Sequence, residues 1–178
     1  MCKFKSGICL KDRVFVPGYD SHSRMLEELH IEDDFAHASK VFVRAELSPK
    51  DGDITNDIDG WKLKVDQDVL PDWWDETVDL PRIRDAVKAW CDIHVFRNGT
   101  HKVHDGVWYA CDSASVEAYG SARVTACGSA SVTAYGSASV ILPKCFQTQK
   151  PVGLSDEAIC INHRDHTIQS PVKWTQKV

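Results

Sequence analysis

An eight-residue repeat between residues 113 and 144 constrains the fold of this chain more than any other feature. In octads, the stretch is SASVEAYG, SARVTACG, SASVTAYG and SASVILPK. Ala, Val and Ala occupy the second, fourth and sixth positions of the first three octads, and Gly closes each of them. Because side chains alternate between the two faces of a strand, this pattern predicts short strands with one Ala/Val face, separated by glycine corners.

Two folds can use such a unit, an antiparallel meander and a β-solenoid. In a meander with a two-residue turn at Gly120-Ser121, Glu117 lies opposite Val124. Directly opposite residues share a face, so a meander would mix Val with polar side chains on both faces. A solenoid keeps every Ala and Val inside, because an even period preserves the side to which each residue points. The sequence therefore favours the solenoid.

The seventh octad position indicates the size of the coil. It alternates between Cys and Tyr, so like residues recur every sixteen residues: Cys111, Tyr119, Cys127 and Tyr135. A flattened coil of two octads would stack Tyr on Tyr and Cys on Cys. The degenerate octad DGVWYACD (105–112) supplies a starting coil, and the tail AICINHRDHTIQSPVKW (158–174) predicts a hairpin that caps the far end.

The first hundred residues predict a small mixed α/β domain. KVFVRAEL (40–47) and WKLKVD (61–66) alternate as strands do, and residues 2–16 predict two short strands. A helix is expected after an N-cap at Asp20 or Ser21, and a second helix is expected to begin at Pro81. The fold class is therefore α+β, with an α+β domain (1–100), β-solenoid repeats (101–145) and a capping tail (146–178).

Composition narrows the class of protein. The net charge is -5 and no run of Lys or Arg occurs, which argues against a nucleic-acid partner. The N-terminus has no apolar h-region and the chain has no transmembrane run, so a cytoplasmic protein without a membrane partner is expected. In that reducing compartment the seven cysteines are expected to be mostly free thiols.

The best candidate for catalysis is Cys2. Removal of the initiator Met would leave an N-terminal Cys, a nucleophile whose base is its own α-amine or His22. Glu46 and Asp66 occupy strand positions that face away from the apolar set, so they could join Cys2 and His22 in one cleft. The alternative is an ordinary thiol on an edge strand, followed by a helix start at residues 20–23.

Candidate binding residues lie in two places. Trp73 and Trp74 could line a ligand platform, although one Trp of such a pair is commonly core and the other half-covered. The outer face of the solenoid would present a flat polar array, with a solvated face without a ligand as the alternative. The residues concerned are Ser115, Glu117, Tyr119, Arg123, Thr125, Ser131, Thr133 and Tyr135.

No metal or cofactor is expected from the motifs. Residues 55–66 echo a calcium loop, but Thr55, Lys62 and Asp66 stand at its first, eighth and twelfth positions. These departures favour a solvated loop. A second group matches no zinc-ligand spacing: His94, His101, His104 and Asp105.

Several segments together resemble a group of uncharacterised proteins of phages and their bacterial hosts. They are MCKFKSG at the start, DSH at 20–22, FVRAE at 42–46 and VDQDVLPDWW at 65–74, followed by the Gly-Ser-Ala octads. The resemblance covers most of the chain. It implies a mobile-element origin, a bacterial host cytoplasm and two parts, and it brings no activity.

Two functional hypotheses follow. The first is a phage-type binding or assembly protein, whose solenoid presents a surface to a protein partner or to further copies in a homo-oligomer. The alternative is a thiol-dependent enzyme for acyl or related group transfer, with Cys2 as nucleophile and His22 as base.

Overall fold

In a computed structural model that describes residues 5–52, 57–143, 152–163 and 165–171, the chain divides between Asp92 and Ile93 into two units. The first unit combines helices with an antiparallel sheet, and the second is a β-solenoid of about four turns. The predicted α+β class with a solenoid is confirmed.

The first unit is built on a four-stranded antiparallel sheet with the order β2-β1-β3-β4. Two short helices, α1 and α2, lie between β2 and β3 in the chain, and a long helix, α3, follows β4. The elements are β1 (Lys5–Leu10), β2 (Val14–Phe15), α1 (His22–Glu28), α2 (Phe35–Ala38), β3 (Phe42–Ser48), β4 (Lys62–Val65) and α3 (Glu76–His94).

Each face of this sheet has its own apolar core, as the alternation in β3 predicts. Val43, Ala45 and Leu47 pack in a cluster with Ile83 and Val87 of α3. On the opposite face, Phe42 packs with Ile8 of β1 and with Met25 and Leu26 of α1. Arg44 and Glu46 alternate with the α3-facing set, so they share the α1 face with Phe42.

Helix α3 begins five residues earlier than expected. The prediction of a start at Pro81 is wrong, because α3 begins at Glu76 and contains Pro81. Asp75 stabilises the earlier start: its Oδ1 accepts hydrogen bonds from the Thr77 backbone N (2.8 Å) and hydroxyl (2.6 Å). Pro81 lies in the second turn, where its missing N–H removes a single intrahelical bond.

The second unit is a stack of flattened coils, each contributing one strand to each of two sheets. The shorter solenoid sheet has the order β12-β10-β8-β6, and the longer has the order β14-β13-β11-β9-β7-β5. Within β5–β13, neighbours are parallel. The strands are β5 (Val95–Phe96), β6 (Thr100–Val103), β7 (Val107–Ala110), β8 (Ser115–Ala118), β9 (Arg123–Ala126), β10 (Ser131–Ala134), β11 (Ser139–Leu142), β12 (Val152–Leu154), β13 (Ile159–Asn162) and β14 (Thr167–Gln169).

The strand register confirms a coil of sixteen residues. Val116 pairs with Val132 in the shorter sheet, and Val124 pairs with Val140 in the longer one. These valines and the octad alanines form one buried cluster, so the Ala/Val set is the solenoid interior. Tyr119 stacks on Tyr135 as predicted, with ring centroids 4.9 Å apart and planes inclined by 9°.

Glycines form the corners of the octads, and a hairpin closes the far end of the solenoid. Gly120, Gly128 and Gly136 adopt positive φ angles of 55°, 60° and 61°, a conformation that favours glycine. At the far end, β13 and β14 form the antiparallel hairpin expected of the capping tail. Strands β12 and β13 belong to that tail in sequence and continue the two solenoid sheets.

Candidate functional site

Three polar side chains from three elements converge on the α1 face of the first unit. His22 is the first residue of α1, Glu46 lies on β3, and Asp66 directly follows β4. One donor atom from each, the ring nitrogen of His22 and two carboxylate oxygens, lie within 4.8 Å of one another. The structure thus brings together three of the four residues predicted for one cleft. The fourth, Cys2, lies outside the described residues.

The chain before α1 is anchored so that His22 meets β3. The Asp20 carboxylate accepts hydrogen bonds from the Lys5 ammonium (2.9 Å) and the Ser6 backbone N (3.0 Å) on β1. Ser21 then caps the helix by accepting from the Arg24 backbone N at 3.4 Å. Fixing this segment to β1 places the first residue of α1 beside the adjacent strand.

The loop that carries Asp66 is fixed to β3 as well. The backbone N of Asp66 donates to the Arg44 carbonyl at 2.9 Å, which extends the pairing of β4 by one residue. The Gln67 amide then accepts from the Arg44 backbone N (3.0 Å) and donates to the Phe42 carbonyl (3.1 Å). These bonds hold the Asp66 carboxylate next to the outward-facing residues of β3.

A single hydrogen bond determines which nitrogen of His22 faces the carboxylates. Nε2 lies 3.2 Å from the Ala45 carbonyl oxygen, which can only accept, so Nε2 carries the proton. In the neutral ring Nδ1 then carries a lone pair and no proton. Nδ1 lies 3.8 Å from Asp66 Oδ2. That distance is longer than a hydrogen bond allows. Any role of His22 as base or ligand therefore falls to Nδ1.

Asp66 is held in its charged form by a neighbouring lysine. The Lys64 ammonium lies 2.7 Å from Asp66 Oδ1, and this hydrogen bond is the main reason why the pKa of Asp66 is lowered from its ordinary value. The same bond raises the pKa of Lys64. Since Lys64 engages Oδ1, the oxygen that faces His22 is Oδ2.

A cavity of about 440 Å³ adjoins the cluster and shares Asp66 with it. Its lining is acidic, with Asp33, Asp34 and Asp68 as further carboxylates. Arg44 also lines it, but its guanidinium is paired with Asp33. The volume is within the range of small-molecule sites.

A second cluster of similar composition was not anticipated from the sequence. Glu32, Asp34 and His37 also place donor atoms within 4.8 Å of one another. Here Asp34 Oδ1 accepts from both the backbone N and Nδ1 of His37, at 2.8 Å each, and so caps α2. The His37 backbone hydrogen bond is the main cause of a lowered Asp34 pKa. This cluster is thus explained by helix capping, for which D-x-x-H at a helix start is the sequence signal.

The two paired tryptophans, Trp73 and Trp74, have different surroundings. Trp73 Nε1 donates to the Lys40 carbonyl at 2.7 Å, and Trp73 lines a cavity with Leu10 and Val41. Trp74 lies edge-on to Trp73, with ring centroids 6.4 Å apart, and both pack against the core on the α3 face. The ligand platform expected of the two Trp side chains stays a prediction.

The predicted outer array of the solenoid is divided between the two sheets. Ser115 and Thr133 lie on the shorter sheet, whereas Arg123 and Thr125 lie on the longer one.

On the shorter sheet, Glu117 is engaged by its neighbours. It accepts from the Lys102 ammonium at 2.9 Å and from the Tyr119 hydroxyl at 2.7 Å. These two bonds, with the one from Tyr119 the larger cause, lower the pKa of Glu117. Glu117, Lys102 and Tyr119 are therefore paired with one another within the solenoid.

The longer sheet carries a feature that the sequence analysis missed. Ile141 pairs with Ile161, and Ile161 pairs with Ile168, so three isoleucines form a row across β11, β13 and β14. Val140, next to Ile141, and Cys160, next to Ile161, are buried inside the solenoid. Because neighbouring side chains on a strand point to opposite faces, the isoleucine row lies on the outer face. Ile168 is 71% exposed. The available signal was the replacement of Thr by Ile at the fifth position of the last octad.

The chain matches no protein-family model, no curated protein and no solved structure. Among the described residues, no helix combines the length and the hydropathy needed to cross a membrane.

Proposed function

We propose that this protein is a binding or assembly protein of mobile-element origin that associates through the longer solenoid sheet. The observation that supports the proposal is the isoleucine row, which ends on an exposed residue of the terminal strand β14.

The outer face of this sheet changes character along the stack. In β9 the outward residues are Arg123 and Thr125, as expected of a face in contact with water. In β11 they become Ser139 and Ile141, and in β13 they are Ile159 and Ile161. A single exposed isoleucine is ordinary, but aligned apolar residues at one end of a sheet are typical of an interaction surface.

The occupant that fits this edge is a second copy of the same chain. In the part of the chain that the structure describes, β14 is the last strand of its sheet, and all three of its residues are exposed. Two copies of β14 paired antiparallel about a two-fold axis would set Ile168 opposite Ile168 and Thr167 opposite Gln169. The isoleucine row would then continue across the axis.

The expected dimer is weak, because a three-residue strand contributes a small interface. We expect a dissociation constant on the order of micromolar. Sedimentation velocity across a concentration series should show monomer and dimer exchanging. I168E should shift the protein to monomer by placing two like charges opposite each other. The matched control is F35E, since Phe35 is 73% exposed and lies in the first unit.

Each outcome of this experiment is decisive if both variants keep the wild-type circular dichroism spectrum. Loss of the dimer in I168E alone supports pairing through β14. Equal loss in both variants would indicate non-specific hydrophobic association and overturn the proposal. A wild-type monomer at about 100-fold above the expected dissociation constant would also overturn self-association.

The thiol-enzyme alternative stays a prediction. Of its parts, the described structure contains His22, with Nδ1 as the one nitrogen free to act as base, and the neighbouring Glu46 and Asp66. Its test is the reactivity of the Cys2 thiol.

A further inference from the structure

We infer that His22 Nδ1 and carboxylate oxygens of Glu46 and Asp66 form a binding site for a divalent first-row transition-metal ion. The inference is independent of the proposed assembly, since all three residues belong to the first unit.

The spacing of the donor atoms suits a shared ion. Nitrogen and oxygen ligands at about 2.0–2.2 Å from a metal lie roughly 3.0–3.5 Å from each other. Here Nδ1 and Asp66 Oδ2 are 3.8 Å apart, and one donor atom from each of the three residues lies within 4.8 Å of the others. Small side-chain rotations would therefore close the set around one ion. Nδ1 and Asp66 Oδ2 face each other at a distance too long for a hydrogen bond.

The surroundings orient the donors as metal sites commonly do. A ligating histidine usually donates its other N–H to a carbonyl or carboxylate, which fixes the ring and directs its lone pair at the metal. The Nε2 contact with the Ala45 carbonyl supplies that bond to His22. Lys64 plays the corresponding part for Asp66 by engaging Oδ1 and leaving Oδ2 toward the cluster.

The chemistry of the donors selects the class of ion. The two carboxylates favour a cation, and the imidazole favours Mn²⁺, Fe²⁺, Co²⁺ or Zn²⁺ over Ca²⁺ or Mg²⁺, which take oxygen ligands. One histidine and two carboxylates leave coordination positions open. The adjoining cavity, lined in part by Asp66, gives a small molecule room beside such an ion.

The Glu32–Asp34–His37 cluster shows that composition alone does not make this site. There, His37 Nδ1 is closed by a 2.8 Å hydrogen bond to Asp34, and the same carboxylate oxygen caps α2. A metal would have to displace the cap. At His22 the corresponding separation is 3.8 Å and the other ring nitrogen is already satisfied.

Metal binding and the thiol hypothesis assign the same lone pair to different roles. A ligating Nδ1 cannot also take a proton from Cys2. A C2S variant separates the two, because it should leave metal affinity unchanged if the three named residues are the ligands.

The test is a titration of the chelator-treated protein with Co²⁺. Binding is measured by isothermal titration calorimetry and by the visible absorption of the bound ion. The wild-type protein should bind one tight equivalent. The E46Q and D66N variants, which keep side-chain shape, should each weaken the affinity by about tenfold or more. H37Q is the matched control and should leave the affinity unchanged.

Thermal unfolding with and without Co²⁺ keeps the test informative if a variant is less stable. Wild type, C2S and H37Q should gain thermal stability from the ion, whereas E46Q and D66N should gain less. The inference is overturned if wild type binds no equivalent tighter than about 1 mM. It is equally overturned if H37Q or C2S weakens binding as much as D66N does.

Discussion

At the residue scale, burial makes three of the described cysteines poor candidates for a nucleophile. Desolvation raises the pKa of the Cys9 thiol to about 11, and burial also raises the pKa of Cys160. The pKa of Cys111 is raised by its hydrogen bond with Cys127 and then by burial. Because the thiolate is the reactive form, these three side chains should react slowly at pH 8.

This contrast gives the thiol hypothesis a direct test. If Cys2 is an activated N-terminal nucleophile, intact-mass analysis should show that Met1 is removed. Iodoacetamide at pH 8 should then modify Cys2 at least about tenfold faster than the half-buried Cys91. C2S should lose the fast phase, and the urea-unfolded wild type should take up seven equivalents, one for each cysteine. Retention of Met1, or equal rates at Cys2 and Cys91, would exclude the hypothesis.

The sequence offered His22, Glu46 and Asp66 as possible members of one cleft but did not predict their orientation. Strand alternation assigned Glu46 and Asp66 to positions that face away from the apolar set, which allowed one cleft with Cys2 and His22. It did not fix where His22 lies, which depends on the helix that begins after Ser21. The choice between the two ring nitrogens depends on one contact with the Ala45 carbonyl. No pattern in the sequence encodes such a side-chain rotation, so the sequence alone does not predict a metal ligand set here.

At the scale of elements, the corners of the octads differ in how closely neighbouring coils approach. A Cβ atom added at Gly120 would lie 2.5 Å from the His104 carbonyl oxygen. The same carbonyl accepts an inter-coil hydrogen bond from the Ser121 backbone N at 3.1 Å. At Gly136, which has nearly the same φ, the nearest atom would be 3.5 Å away.

Alanine substitution should therefore have unequal effects at the two corners. G136A should cost about 1–2 kcal/mol, the penalty of a Cβ in the left-handed region. G120A should cost about 1–3 kcal/mol more, because the His104 carbonyl must shift and strain its inter-coil bond. Urea unfolding followed by circular dichroism measures both free energies. Equal destabilisation would show that backbone conformation alone, and not coil-to-coil distance, requires glycine at these corners.

The sequence predicted the coil period but not how the last coil is joined. Val116 and Val132 pair at a spacing of sixteen, whereas Val132 pairs with Val152 and Val140 with Cys160, both twenty residues later. Four additional residues therefore enter before β12, where the repeat has ended. The octad period does not predict which residues of β12 and β13 pair with β10 and β11 after such an insertion. The alignment of Ile141 with Ile161 was therefore not predicted.

At the scale of the whole molecule, two octads form the structural unit of the solenoid. Each coil contacts its neighbours above and below, so a coil can in principle be removed if the remaining strands keep their sheets. Deleting residues 113–128 removes β8 and β9 together and leaves the sixteen-residue register intact. Deleting residues 113–120 removes β8 alone and moves each later strand to the other sheet.

The two deletions should differ in stability although the shorter one removes half as many residues. After the sixteen-residue deletion, Tyr135 takes the place of Tyr119 over His104, and β11, β13 and β14 stay in the longer sheet. After the eight-residue deletion, Cys127 would face His104 and the capping strands would change sheets. Its melting temperature should be at least about 5 °C lower than that of the longer deletion.

Both deletions are best compared in the I168E background, so that association through β14 does not contribute to the measured stability. Far-UV circular dichroism and thermal unfolding of the two monomers provide the measurement. Cooperative unfolding of the sixteen-residue deletion, with a broad or lower transition for the eight-residue deletion, identifies two octads as the repeating unit. If the shorter deletion were as stable as the longer one, single octads would be interchangeable between the sheets. Stacking of Tyr on Tyr and Cys on Cys would then not determine the strand register.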